Sequence, residues 1–188
     1  MKNSMAVRFK SKFIPNETYF ITFTILGWKS IFISDKYINL VYKWFDYMKE
    51  NYQNKIQGYV IMPNHIHFLI FISNKSPNIE KLMRNAKRFL AYQIVALFRE
   101  DKKQELLDFF QKHARVAAGA KHKIFKDRYD SLEIATQDFF EEKINYIYEN
   151  PCAGKWDLAE SPIDYKHSSA ANYILGDGYY KDVEVLGM

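Results

Sequence analysis

The run at 56–72, IQGYVIMPNHIHFLIFI, constrains the fold more than any other part of the chain. Two apolar stretches rich in β-branched and aromatic residues meet at Pro63 and Asn64. Proline interrupts a ladder and asparagine favours turn geometry, so the run reads as two strands joined by a tight connection.

The flanking segments supply the partners. TYFITFTIL at 18–26 alternates aromatic or β-branched residues with threonines, as a strand does. A helix is expected from Asp35, a good N-cap, to about residue 52, with Ile38, Val41, Tyr42, Phe45 and Met48 at helical spacing. A second helix is expected over 77–98, burying Leu82, Ala86, Phe89, Leu90, Ile94 and Leu97. Residues 99–123 mix charge with small side chains and read as a mobile basic connection, and KIFKDRYDSLEI holds a short strand. A third helix is expected over 137–150, closed by Pro151. The tail from about 174 to 188 reads as weakly structured or as an extended arm. The order β, α, β, β, α, β, α predicts an α+β fold with helices on an antiparallel sheet. No repeat or linker divides the chain, so residues 1–188 are expected to form one domain, burying roughly 70% of the unfolded surface.

The net charge of +5 conceals a division. Residues 1–128 carry 23 basic and 10 acidic side chains, and residues 129–188 carry 4 and 12. A polyanion is therefore a plausible partner for the first two thirds, although two solvated patches would give the same count. The single cysteine, Cys152, excludes an internal disulfide framework and a cysteine-rich zinc module. With no signal-peptide core and no membrane-length apolar run, a soluble cytoplasmic protein is expected.

His65, Ile66 and His67 lie on a predicted strand, where alternate side chains share a face. Two adjacent imidazoles make a bidentate metal platform; a pair of hydrogen-bonded histidines at a sheet edge is the competing reading. Such a metal needs a further ligand and open positions for substrate. On the third helix Tyr146 and Asn150 are four apart and share a face, whereas Tyr148 is about 200 degrees round. Asn150 can offer an amide oxygen beside the Tyr146 hydroxyl, with Glu142 and Glu149 as rival oxygen ligands. A tyrosine, a divalent cation and a phosphodiester form a chemically coherent set. The cation acts as Lewis acid and template, and a phosphotyrosine conserves bond energy for rejoining strands.

GYVIMPNHIHFLI at 58–70 resembles the HUH signature of the single-tyrosine transposases, particularly the REP-associated tyrosine transposases of bacteria. YIYENPCAGKWDLAESPIDYKHSSAANY at 146–173 resembles the family's second block: a tyrosine-led helix, an Asn-Pro turn, a glycine and a later Tyr-x-x-Ser-Ser segment. The closing EVLG is also similar to one branch. The resemblance implies a ferredoxin-like (RRM-like) sheet with the histidine strand central. It implies His65, His67 and Asn150 as ligands of Mg²⁺ or Mn²⁺, and Tyr146 as the nucleophile that forms a 5′-phosphotyrosine and frees a 3′-hydroxyl. Single-stranded DNA carrying a hairpin is the implied substrate, in transposition or REP-element processing, with a homodimer or a monomer both known among relatives. One departure is clear: where relatives show Trp-Gln and then a histidine, this chain has Phe125, Lys126 and Asp130.

Lys81, Arg84, Lys87 and Arg88 recur at spacings of three and four, and with Arg115, Lys121 and Lys123 they can follow a DNA backbone. Tyr19, Phe20 and Trp28 are candidates for stacking unpaired bases. The competing functions are a replication-initiator or relaxase-like nickase and a non-catalytic DNA-hairpin-binding protein.

Overall fold

A computed structural model describes residues 13–114, 121–154 and 156–187. Four strands, β1 (Glu17–Thr24), β2 (Lys55–Met62), β3 (His65–Ile72) and β4 (Asp130–Glu133), form an open antiparallel sheet in the order β2-β3-β1-β4. With α1 (Asp35–Tyr52) after β1 and α2 (Ile79–Glu100) after β3, this is the ferredoxin-like βαββαβ arrangement expected from the sequence. Pro63 and Asn64 form the β2–β3 turn, and the histidine strand is central.

Strand alternation sorts the side chains into two cores. Tyr19, Ile21, Phe23, Ile66, Phe68 and Ile70 face α1 and α2, meeting Val41, Phe45, Leu82 and Leu90. Phe20, Val60, Met62 and Leu69 face α4 (Gln137–Glu149), meeting Phe140, Ile144 and Ile147. Because both faces are covered, β2 and β3 read as nearly continuous apolar runs. A bulge at Gln57 precedes Gly58, and a Cβ on Gly58 would lie 2.5 Å from Ile144 Cδ1. The missing side chain lets α4 settle close on the sheet.

Helix ends follow local chemistry. Asn78 Oδ1 accepts the Lys81 N–H at 2.9 Å and starts α2, and Thr136 Oγ1 accepts the Phe139 N–H and starts α4. Asp35 is the first residue of α1 and not its N-cap; extended Ser34 precedes it, and the Asp35 carboxylate is used to bind Lys166 and His167. Phe89 is 38% exposed, and Met83, Val95 and Phe98 complete the buried face of α2 in its place. Within the connection expected to be mobile lies α3 (Gln104–Lys112), whose Leu107 and Phe110 are buried and whose Phe110 stacks on Phe98.

After α5 (Ala170–Ile174), the chain runs as an extended arm. Tyr180 stacks on Tyr42 and donates to Asp46, Val183 bridges to Ile56 in parallel, and Glu184 pairs with Lys55. The arm thereby covers the Ile56 end of the outer edge of β2, and Ser168 with its neighbours bridges Val60 at the other end. No helix among the described residues is long and apolar enough to cross a membrane.

Candidate active site

Strand register puts His65 and His67 on the α4 face, opposite Thr24 and Thr22 of β1. The two rings meet edge to face with centroids 4.7 Å apart. Each is oriented through Nδ1: His65 by Asn64 Oδ1 at 2.7 Å, His67 by Thr22 Oγ1 at 2.8 Å. Asn64 Oδ1 can only accept, so His65 carries its proton on Nδ1, whereas the Thr22 hydroxyl can accept from or donate to His67 Nδ1; a metal at an Nε2 requires the proton on Nδ1. Phe20 stacks on the His67 ring at 5.5 Å. Burial, and next the charge His65 would carry, push the His67 imidazole down to about 3, so it is neutral at physiological pH.

The helix phase brings Tyr146 to this pair. Its hydroxyl lies 3.3 Å from His67 Nε2, its ring meets the edge of Phe20, and the residue is 46% exposed. Tyr148, on the other side of α4, is buried, and burial raises its phenol well above the usual tyrosine range. Only Tyr146 of the two offers substrate an accessible oxygen. Asn150 stands one turn further on, half-buried, with its backbone N–H on the Tyr146 carbonyl. No hydrogen bond among the described residues joins its side chain to the histidines. Glu142 is exposed and paired with Lys143, and Glu149 is exposed. No group of three His, Cys, Asp or Glu side chains suited to a metal stands together among the described residues. The donor set consists of two imidazoles, that of His67 neutral, with amide or water oxygens for the rest. It fits a divalent cation that keeps positions open for phosphate oxygens.

Lys143, one turn before Tyr146, escaped sequence reasoning. Its ammonium lies over the Phe20 and Phe139 rings, and its spacing of three from Tyr146 was the signal that it shares that face.

The basic residues divide differently from their spacing. Arg84 and Arg88 of α2 and Lys121 and Lys123 of the segment between α3 and β4 line one groove of about 870 Å³ with Arg99, Tyr92 and Tyr129. Lys123 is tied to Asp127 at 2.8 Å. Lys81 is exposed outside this groove, and Arg115 lies outside the described residues. Lys87 departs from the exposed stripe. Its ammonium turns inward, donates to the carbonyls of Lys126, Asp127 and Arg128 at 2.9–3.1 Å, and rests on the Phe23 and Tyr129 rings. Burial pushes it down to about 8. It braces the loop while lining the same groove, because three clustered carbonyls need a donor. Tyr19 and Phe20 are likewise core residues, unavailable to bases.

A family model described as "Transposase IS200 like" matches residues 18–150. Among solved structures, a REP-associated tyrosine transposase bound to a REP hairpin superposes with a TM-score of 0.66 at 17% identity, covering 97% of this chain and 94% of that one. A candidate transposase from Deinococcus radiodurans matches with a TM-score of 0.48 at 15% identity, over 79% of this chain and 100% of that one. No curated protein sequence matches.

Proposed function

The chain belongs to the IS200-like transposases, enzymes of DNA transposition, and on that premise we propose that it nicks and joins single-stranded DNA beside a hairpin, using Tyr146 as nucleophile. The observation that carries the reading is the accessible Tyr146 hydroxyl 3.3 Å from His67 Nε2, on a helix packed against the histidine strand. The solved relative bound to a REP hairpin supports the choice of DNA partner.

In this reading Tyr146 Oη attacks the phosphorus and the bond from phosphorus to the 3′-oxygen breaks. The phenolic proton passes to solvent, and the departing 3′-oxygen takes one up. The products are a 5′-phosphotyrosine and a free 3′-hydroxyl, and the reverse attack by a 3′-hydroxyl joins strands. His65 and His67, with Asn150 as the proposed third ligand, would hold Mg²⁺ or Mn²⁺, which would withdraw charge from a non-bridging oxygen and orient the ester. Asn64 holds His65 in the required tautomer, and Thr22 orients the His67 ring and can accept from its Nδ1–H. The His67 Nε2 that now contacts the Tyr146 hydroxyl is the atom a cation would use, so the hydroxyl and a cation would compete for it. Arg84, Arg88, Lys121 and Lys123 would hold the hairpin backbone in the groove, with Lys81 and Arg115 extending the contact.

The test is incubation with labelled hairpin DNA and Mn²⁺, followed by a denaturing gel. The unsubstituted chain is expected to leave a covalent adduct and Tyr146→Phe none. An adduct that survives Tyr146→Phe would overturn the assignment.

A further inference from the structure

One exposed aromatic beside the histidine pair has no part in the core. Trp28 is 56% exposed and lies in a short 3-10 turn, Leu26–Trp28, between β1 and α1. Its φ is +56°, directly after Gly27 at +65°. A bulky residue in the left-handed region is strained and persists only where the surroundings enforce it. Here they do. A Cβ on Gly27 would come within 2.6 Å of the Phe109 ring. The Trp28 carbonyl accepts from Asn64 Nδ2 at 3.2 Å, and the Oδ1 of the same amide orients His65. The indole meets the His65 ring edge to face, with centroids 6.3 Å apart. Lys126 is anchored by its N–H on the Thr24 carbonyl, and its ammonium lies 3.7 Å from the indole centroid.

We propose that Trp28 and Lys126 form a binding site for one unpaired nucleotide next to the scissile phosphate, the base stacking on the indole and the ammonium facing its phosphate. The inference rests on the single-strand reading above. A flat indole joined to a lysine cation matches an unpaired nucleotide and is indifferent to which base it carries. Lys126 also lines the basic groove, so the site stands between the groove and the histidines.

The experiment compares two DNA hairpins of identical stem, one blunt and one extended at both ends by unpaired thymidines. Affinity is measured by fluorescence anisotropy in the Tyr146→Phe background, so that nothing is cleaved. Trp28→Ala is expected to weaken binding of the extended hairpin roughly tenfold and to leave the blunt one unchanged, with Trp28→Phe retaining most of the affinity. Unchanged affinity of Trp28→Ala for the extended hairpin, or an equal loss on both DNAs, would overturn the site while leaving the proposed function standing. If the chain with Trp28 intact bound neither DNA, the proposed function would fall and the site with it.

Discussion

The protonation of His67 governs both its stability effect and its use as a ligand. A histidine in an unfolded chain takes up its proton near pH 6.5, whereas folded His67 does so only at about 3. Between those values the unfolded chain binds more protons, so falling pH draws the metal-free protein toward unfolding. Stability is full above pH 6.5, and by pH 4.5 this one group is expected to remove roughly 2–3 kcal/mol. Urea midpoints at pH 7 and 4.5 check this: His67→Gln should lose less than the unsubstituted chain, and equal losses would refute it. Sequence reached some residues and missed others for definable reasons. Helix phase put Tyr146 and Tyr148 on different faces of α4, since 3.6 residues make a turn, and the family resemblance singled out Tyr146. Spacing could not tell that Lys87 bends inward, because that depends on carbonyls forty residues away in the chain.

Periodicity made α1, α2, α4 and the hairpin legible, since each buries a continuous apolar stripe or run. It passed over α3, a nine-residue helix with two buried side chains and charged flanks. The Trp28 turn was equally hidden, because its shape is imposed by Phe109 and Asn64, both remote in sequence. Among the elements, the seat of α4 matters most for chemistry, and it depends on Gly58. Gly58→Ala forces Ile144 and its helix outward, at an expected cost of about 1–3 kcal/mol, as overpacking does. It should also slow adduct formation by displacing Tyr146 from His67. A thermal melt and a single-turnover assay test the two effects, and a variant that melts lower but reacts at full rate would show that the seat of α4 does not position Tyr146.

At the scale of the whole molecule, the charge division noted in sequence becomes a surface. Arg84 and Arg88 of α2 and Lys121 of a later loop come from two separate segments yet line one groove. Replacing any one of them with alanine should weaken binding of unrelated hairpins about equally and lower the magnitude of the log affinity against log salt slope by about 1. An unchanged slope would mean that the residue faces no phosphate. The arm along β2 carries a different consequence, one of time. The Ile56 end of the outer edge of β2 waits for Val183 while everything between them is synthesised, roughly ten seconds at ribosomal speed. During that wait this end of the edge has the Gln57 bulge and the charge of Lys55 to discourage pairing with other chains. A nascent chain of this protein is thus most exposed to misassociation just before its arm emerges.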